Sequence, residues 1–223
     1  MEPIRLGVMI SGSGRTLVNL LSEIAAGRLA AEVAVVISSL PHVRGVERAR
    51  EAGLPVEILR VKDHPDPADY GERLAEVLDR YAVGLAVQAG WTAYWRIPDR
   101  WLGRVLNIHP ALLPKYGGKG FFGHHVHEAV LAAGERESGC TVHFANNQYD
   151  AGPIILQRRV PVLPGDDADT LAARVFEQEC LAYPEVIRLY AAGRVRMRGD
   201  GVEWLEGDRP CSPAPADPDR RGD

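Results

Sequence analysis

The alternation of short apolar runs with segments of helical periodicity constrains the fold of this chain more than any other feature. Apolar runs typical of strands occupy residues 4–10, 33–37, 56–59, 83–88 and 105–108. Between the first four of them, residues 16–26, 43–52 and 67–81 carry apolar side chains at helical spacing. Strands that alternate with helices form a parallel, doubly wound sheet, in which the carboxyl ends of the strands carry the functional loops.

The pattern changes after residue 120. A helix is predicted over residues 125–133, followed by strand-like runs at 140–144 and 154–160 with a turn-like Asp-Ala-Gly-Pro between them, which favours antiparallel pairing. A long amphipathic helix is predicted over residues 169–191, where Pro184 favours a kink. The predicted fold class is therefore α/β, a doubly wound and mostly parallel sheet with antiparallel C-terminal strands.

Composition narrows the classes of protein to consider. The 223 residues are 46% hydrophobic and 25% charged, as in an ordinary soluble protein, and the net charge of −4 gives no electrostatic case for nucleic acid. The apolar runs are too short to span a bilayer, and the first residues do not resemble a signal peptide. Three widely spaced cysteines indicate reduced thiols and match no zinc pattern. We expect a cytoplasmic protein without metal, nucleic acid or membrane as partner.

The domain organisation follows from the same survey. Residues 1–205 carry the strand and helix patterns and are long enough for one sizeable core. Residues 206–223 are rich in Pro and Asp, lack large apolar side chains and are predicted to form a disordered tail. The sequence therefore predicts a single catalytic domain followed by that tail.

A glycine-rich turn, SGSG at residues 11–14, joins the first strand to the first helix. Backbone N–H groups at a helix N-terminus bind phosphate; Gly12 and Gly14 let the backbone approach, and Arg15 and Thr16 add donors. The turn matches neither the dinucleotide fingerprint nor the Walker pattern, and no acidic residue ends the second strand. A ligand with a monophosphate is favoured over NAD, with a plain tight turn as the alternative.

The fifth strand ends in Leu-Asn-Ile-His, where apolar and polar residues alternate. Asn107 and His109 therefore face the same side of the strand. An amide donor beside an imidazole suits proton transfer and the stabilisation of developing negative charge. Asp150, in the turn-like stretch between the last strands, either caps that turn or orients the imidazole and raises its pKa. Spacing alone does not bring Asp150 to the other two residues.

Three stretches together, SGSG, LNIHPALLPKY and HFANNQYDAGPIILQ, resemble the folate-dependent phosphoribosylglycinamide formyltransferases of purine biosynthesis, over residues 4–204. The NIHP-x-LLP motif and the later D-x-GP turn are typical of folate formyl-group enzymes in general. The chain length and the SGSG turn narrow the resemblance to the glycinamide ribonucleotide branch. Methionyl-tRNA formyltransferases and formyltetrahydrofolate hydrolases carry an added C-terminal or N-terminal domain, for which we see no room here.

The resemblance implies transfer of a formyl group from 10-formyltetrahydrofolate, the co-substrate, to the primary amine of glycinamide ribonucleotide, without a metal. It implies that Asn107, His109 and Asp150 are catalytic. In that mechanism the Asn107 amide and a protonated His109 stabilise the tetrahedral oxyanion, while Asp150 keeps His109 charged and oriented.

The resemblance also assigns the ribonucleotide side of the site. Gly12, Gly14, Arg15 and Thr16 fall in the turn that binds the substrate phosphate. Arg15 and Thr16 depart from the family pattern, so Arg15 either donates to the phosphate or points to solvent. Glu179 matches the acid that holds the ribose hydroxyls; alternatively it is one more solvated helix charge.

The folate side departs most from the family. The assigned residues are Trp91, Thr92, Ala93, Tyr94, Trp95, Asn107 and His143. The segment after residue 91 is shorter than the common form, and its aromatic rings either pack on the pterin or fill the core. The loop at residues 115–124 is longer than usual, and its glycines predict a mobile lid. His124, His125 and His127 resemble a metal cluster, but His125 and His127 fit the family's His-x-His, and we expect no zinc.

Alternative functions remain at this point. One is a formyltetrahydrofolate hydrolase or a formyltransferase for another amine, including that of a nucleotide sugar. Convergence of the glycine turn and Glu179 on one pocket beside His109 would argue against the hydrolase. A non-catalytic folate- or nucleotide-binding module is the other, and it would not need the Asn107, His109 and Asp150 trio. We expect a monomer or a weak homodimer.

Overall fold

A seven-stranded sheet forms the centre of the computed structural model, which describes residues 2–205. The strands are β1 (Ile4–Ile10), β2 (Ala31–Ser38), β3 (Val56–Ile58), β4 (Leu85–Gln88), β5 (Val105–His109), β6 (Glu137–Phe144) and β7 (Ile154–Pro161). The helices are α1 (Arg15–Ala25), α2 (Arg44–Glu51), α3 (Pro67–Arg80), α4 (His124–Ala132) and α5 (Ala168–Ala191). A hairpin of β8 (Val195–Arg198) and β9 (Gly201–Trp204) forms a separate two-stranded sheet.

The strand order is β3-β2-β1-β4-β5-β6-β7. Strands β1 to β5 pair in parallel, β6 runs antiparallel to β5, and β7 runs antiparallel to β6. This confirms the predicted fold class. Strands β2 and β3 extend the sheet on one side of β1, and β4 and β5 extend it on the other side. The direction of chain progression therefore reverses between β1 and β4. Ligands of open α/β sheets bind in the crevice that such a reversal leaves at the carboxyl ends.

The two faces of the sheet pack against different helices. Leu6, Val8 and Ile10 of β1 pack in a core cluster that also contains apolar residues of α1, α2, α4 and α5. Met9, between them in sequence, packs in a second cluster with residues of α3. Because both faces are covered, β1 is apolar along its length, as is typical of parallel strands.

Two element predictions differ from the structure. Strand β6 begins at Glu137 instead of residue 140, because it includes Gly139, which the sequence pattern left outside a strand. A Cβ at Gly139 would lie 2.0 Å from the Arg158 carbonyl oxygen of β7, so only glycine allows this approach. The β8–β9 hairpin was not predicted. The predicted tail at residues 206–223 lies outside the described residues, so the domain boundary stays a prediction.

Helix α5 continues through Pro184 as one helix. Proline has no backbone N–H, so the carbonyl of Cys180 loses its usual helical donor. The Asn19 side chain of α1 replaces it, since Asn19 Nδ2 donates to the Cys180 carbonyl at 3.0 Å. The neighbouring Tyr183 hydroxyl lies 3.0 Å from the carbonyl oxygens of Gln88 and Leu106, which ties α5 to β4 and β5.

Among residues 2–205, none of the helices combines the length and the apolar character needed to cross a membrane.

We predict that Asn19→Ala lowers the free energy of unfolding by about 1 kcal/mol, because the Cys180 carbonyl is left without a donor. Pro184→Ala restores the backbone N–H that the proline lacks. The same Asn19→Ala change should therefore have a smaller effect in a Pro184→Ala background. Urea denaturation of the wild type, the two single variants and the double variant measures these effects. An equal loss of stability from Asn19→Ala in both backgrounds would contradict the prediction.

Candidate active site

A cavity of about 830 Å³ opens at the carboxyl ends of β1, β4 and β5. Its walls come from the glycine turn, the segment after β4, the loop before α4, the β6–β7 turn and α5. Every residue that the sequence analysis assigned to the site lines it: Gly12, Gly14, Arg15, Thr16, Trp91, Thr92, Ala93, Tyr94, Trp95, Asn107, His109, His143, Asp150 and Glu179. The structure thus brings both predicted substrate sides into one space.

Asp150 meets the Asn and the His of β5. Its Oδ1 accepts a hydrogen bond from Asn107 Nδ2 at 3.2 Å, and its Oδ2 lies 3.6 Å from His109 Nδ1. Oδ2 also accepts the backbone N–H of Gly118 at 2.9 Å. Burial acts to raise the pKa of Asp150, but contacts with His143, His109 and the Gly118 N–H lower it below its usual value. The side chain is therefore a carboxylate at neutral pH.

The backbone around Asp150 is specialised to bring it back to β5. Asp150 has a positive φ of 49°, an uncommon conformation that Asp tolerates better than most residues. Two residues later, a Cβ on Gly152 would lie 1.8 Å from the Phe144 carbonyl oxygen. The turn therefore requires glycine at position 152 to pack against the end of β6.

The hydrogen bonds of His109 fix its tautomer. Its Nε2 lies 2.7 Å from the Tyr116 carbonyl oxygen, which can only accept, so Nε2 carries the proton. The ring is only 4% exposed. Burial lowers the pKa of His109, and the opposing effects of Asp150 and the Tyr116 carbonyl do not fully compensate. Asp150 thus acts to raise the pKa of His109, as the sequence analysis expected, but the effect of burial is larger.

A buried threonine fixes the start of the loop whose Tyr116 carbonyl accepts from His109. Thr141 of β6 donates through its hydroxyl to the Ala111 carbonyl at 2.6 Å and accepts the Leu113 N–H at 3.1 Å. These bonds hold the chain that leaves β5 against β6, and Tyr116 follows three residues later. The loop thus starts from a fixed point.

His143 orients Asn107. These two residues lie opposite each other in the β5–β6 ladder. His143 Nδ1 donates to the Phe144 carbonyl at 2.9 Å, so its Nε2 is free to accept from Asn107 Nδ2 at 3.0 Å. With the bond to Asp150, both amide hydrogens of Asn107 are engaged. Asn107 can donate to another group only by exchanging one of these bonds.

The glycine turn leaves the start of α1 without a side-chain cap. Gly14 occupies the N-cap position with a φ of 70°, and a Cβ there would lie 2.6 Å from the Gly45 Cα. Glycine is therefore needed both for the conformation and for the contact with α2. The N-terminus of α1 faces the cavity and can accept an anion through its backbone N–H groups.

The Arg15 side chain stacks on an aromatic ring. Its guanidinium carbon lies 3.8 Å from the centroid of the Phe176 ring, on the α5 wall of the cavity. Glu179, one turn further along α5, is half-buried. Burial raises the pKa of Glu179 to about 7, although the positive charge of Arg15 acts to lower it. Glu179 therefore titrates near neutral pH, unlike a solvated helix charge.

The aromatic residues after β4 divide between core and cavity. Trp95 is buried in the cluster under α3, whereas Tyr94 is half-buried and donates to the Asn147 carbonyl at 3.1 Å. The Tyr94 ring lies 5.0 Å from the ring of Tyr149, which the sequence analysis did not assign. The Asn147 amide in turn bonds both the N–H and the carbonyl of Ile97. The segment is thus fixed against the β6–β7 turn.

The long loop before α4 also lines the cavity, through its glycines and through Lys119, Phe121 and Phe122. Phe121 and Phe122 are 36% and 50% exposed. The predicted mobility of this loop is not tested by the structure and stays a prediction.

The three histidines at the start of α4 each have a different environment. His124 is 3.4 Å from an oxygen of Asp169, and His125 is 3.3 Å from one of Glu128. His127 is buried, which lowers its pKa to about 4. Within residues 2–205, no three His, Cys, Asp or Glu side chains are grouped so that they could hold a metal ion.

Sequence reasoning missed several contributors to the site. The Gly118 N–H and the Tyr116 carbonyl are backbone groups, for which no residue type is a signal. Phe176 had a usable signal, because it precedes Glu179 by three residues on a predicted helix and so lies on the same face.

We predict that Glu179→Gln stabilises the ligand-free protein at pH 8 by about 1–3 kcal/mol, because a carboxyl whose pKa is raised resists ionisation in the folded state. Between about pH 4.5 and 7, the folded wild type holds a proton that the unfolded chain has lost, so its stability falls as pH rises. The advantage of the variant should therefore disappear below pH 4.5. Thermal or urea unfolding from pH 4 to 8 measures it.

Glu177→Gln, an exposed neighbour on the same helix, is the matched control. Parallel stability profiles for the wild type and the Glu179 variant would contradict the prediction.

Comparison with known proteins agrees with this geometry. Residues 4–187 match the family described as Formyl transferase. The phosphoribosylglycinamide formyltransferase of Escherichia coli (strain K12) is 37% identical over 204 residues, which cover 91% of this chain and 93% of that protein. The trifunctional purine biosynthetic protein adenosine-3 of Drosophila pseudoobscura is 41% identical over 196 residues, 86% of this chain but only 14% of that longer protein.

Solved structures give the same result. The crystal structure of glycinamide ribonucleotide transformylase 1 from Symbiobacterium toebii has a TM-score of 0.82 and 40% sequence identity, over 92% of this chain and 95% of that one. Since the family match covers most of the chain, and the bacterial relative is spanned nearly end to end, this chain belongs to the phosphoribosylglycinamide formyltransferase family.

Proposed function

We propose that this protein transfers the formyl group of 10-formyltetrahydrofolate to the amine of glycinamide ribonucleotide, giving the N-formyl product in de novo purine biosynthesis. The observation that carries the proposal is that one cavity joins the Asn107, His109 and Asp150 cluster to an uncapped helix N-terminus and to Glu179. A phosphate, a ribose and a reacting amine need these three kinds of group at successive positions.

The ribonucleotide occupies the side of the cavity between α1 and α5. Gly12, Gly14 and Thr16 hold the phosphate through the turn and the first N–H groups of α1, and Arg15 adds its guanidinium. The Glu179 carboxylate accepts hydrogen bonds from the ribose hydroxyls. Burial raises the pKa of Glu179 to about 7, so part of the carboxyl is protonated at neutral pH. Hydrogen bonds from the ribose hydroxyls would lower this pKa and favour the ionised form.

The folate occupies the opposite side. The contact residues are Trp91, Thr92, Ala93, Tyr94, Trp95, Asn107 and His143. Among their rings, that of Trp95 is almost fully buried, while those of Tyr94 and Trp91 are partly exposed. Aromatic rings of this kind stack on a flat heterocycle such as a pterin.

Chemistry starts with attack of the neutral amine on the formyl carbon. A C–N bond forms, the formyl oxygen becomes an oxyanion, and the C–N bond to the folate then breaks. The proton lost by the amine is finally taken up by the leaving folate nitrogen. No covalent bond to the protein is required.

His109 and Asp150 manage the charge and the proton. His109 is neutral before reaction, because burial lowers its pKa. An oxyanion beside the ring would raise that pKa again, so His109 takes up at Nδ1, which faces Asp150, the proton that the attacking amine loses. The resulting imidazolium and one amide hydrogen of Asn107, exchanged from its present partner, stabilise the oxyanion. The same proton then passes to the folate nitrogen, directly or through water.

The ribonucleotide side of the cavity favours this function over a formyltetrahydrofolate hydrolase. A hydrolase uses water in place of the amine, so it does not need the uncapped turn or Glu179 to bind a second substrate. The proposal includes a cytoplasmic monomer or weak homodimer that acts on these two small molecules, without metal, nucleic acid or membrane.

A spectrophotometric assay with 10-formyltetrahydrofolate tests the function. Folate product should appear only when glycinamide ribonucleotide is added. Product without the ribonucleotide would identify a hydrolase, and no product under either condition would contradict a formyl transfer from this donor.

We predict that His109→Ala and Asp150→Asn each lower kcat by about 10²–10⁴-fold, because each removes a group that handles the proton and the oxyanion. The fold should persist, as judged by circular dichroism. His42→Ala, which replaces an exposed histidine away from the cavity, is the control and should retain full turnover. Turnover like that of the wild type in either of the first two variants would refute the mechanism.

A further inference from the structure

Arg15 has unused hydrogen-bonding capacity at the wall of the cavity. It is exposed, and within residues 2–205 its guanidinium forms no hydrogen bond and no ion pair. Its contact is with the face of the Phe176 ring, at 3.8 Å from the centroid. An exposed arginine side chain ordinarily samples many rotamers, so a stack on an aromatic ring restricts it.

The ring, and not the nearby acid, holds this guanidinium. Glu179 lies close enough for Arg15 to act on its ionisation, yet the two side chains do not form an ion pair. Phe176 precedes Glu179 by one turn of α5, so the ring and the carboxyl lie side by side on one helix face. The guanidinium therefore sits beside the carboxyl while keeping its own donors free.

The pairing of α1 and α5 fixes the position of the stack. Arg15 contacts Phe176, and four residues later in each helix Asn19 bonds the carbonyl of Cys180. Equal spacing on the two helices means that one alignment satisfies both contacts. The stack is therefore part of the helix pairing and not an isolated surface contact.

Stacking on a ring leaves the N–H donors of an arginine side chain free to bind another group. The guanidinium is planar, its N–H donors lie in that plane, and an aromatic ring occupies only one face. A guanidinium held in this way loses less conformational freedom when it binds a phosphate in a bidentate manner.

We propose that Phe176 is a positioning residue of the ribonucleotide side: its ring holds the Arg15 guanidinium against the α5 wall, with the N–H donors free for the substrate phosphate at the glycine turn. This inference rests on the proposed function, and it adds a residue that acts through Arg15 without touching the phosphate.

A double-mutant cycle tests the proposal. Wild type, Phe176→Leu, Arg15→Ala and the double variant are compared by steady-state kinetics and by calorimetric titration with glycinamide ribonucleotide. A cation–π contact of this exposed kind corresponds to a change of about two- to fivefold in affinity. Phe176→Leu should raise the Kd and KM for the ribonucleotide by about that factor, with kcat and the KM for 10-formyltetrahydrofolate unchanged. Arg15→Ala should weaken ribonucleotide binding at least as much.

The decisive comparison is between the effect of Phe176→Leu on ribonucleotide binding in the presence and in the absence of Arg15. In the Arg15→Ala background, Phe176→Leu should have no further effect, and Phe176→Tyr, which keeps the aromatic face, should behave like the wild type. An equal loss from Phe176→Leu with and without Arg15 would overturn the proposal, because the ring would then serve the ligand or the fold directly. No loss in the presence of Arg15 would overturn it as well. Failure of the wild type to bind the ribonucleotide or transfer the formyl group would instead refute the proposed function.

Discussion

The carboxylate of Asp150 is the contact on which the arrangement of the site depends. It joins Asn107, His109 and the Gly118 N–H, and so connects β5, the loop before α4 and the β6–β7 turn. A buried carboxylate is stable only where such partners surround it. The left-handed backbone at Asp150 and the close packing of Gly152 on β6 make this possible. A local conformation that is unfavourable by itself is thus held by a set of polar contacts.

Two polar side chains at the end of β5 are hydrogen-bonded to their neighbours. Asn107 uses both amide hydrogens, and His109 donates to a backbone carbonyl. Buried groups without partners would destabilise the fold, so these bonds keep the cavity ordered before substrates arrive. A group that accepts a hydrogen bond from Asn107 must therefore replace one of these partners.

The parts of the structure that depend on local pattern could be predicted from the sequence. Periodicity identified the strands and helices of the sheet, and the alternation at Asn107 and His109 placed them on one side of β5. The short distance from Asp150 to both residues could not be predicted, because it depends on a strand register and on a turn conformation. The net direction of the His109 pKa shift could not be predicted, since the sequence shows the neighbouring acid but not the depth of burial. The Arg15 stack depends on how α1 and α5 align, which no single helix pattern contains.

That alignment gives the proline of α5 a consequence beyond its own helix. By withholding one N–H, Pro184 leaves a carbonyl acceptor on the side of α5, and Asn19 of α1 occupies it. Because this acceptor occurs at one point along α5, its hydrogen bond with Asn19 favours one axial position of α1. With the Arg15 stack, this bond contributes to the offset between the helix that follows the glycine turn and the helix that carries Phe176 and Glu179. A gap in the backbone hydrogen bonding of one helix thereby contributes to the alignment of two helices that line the cavity.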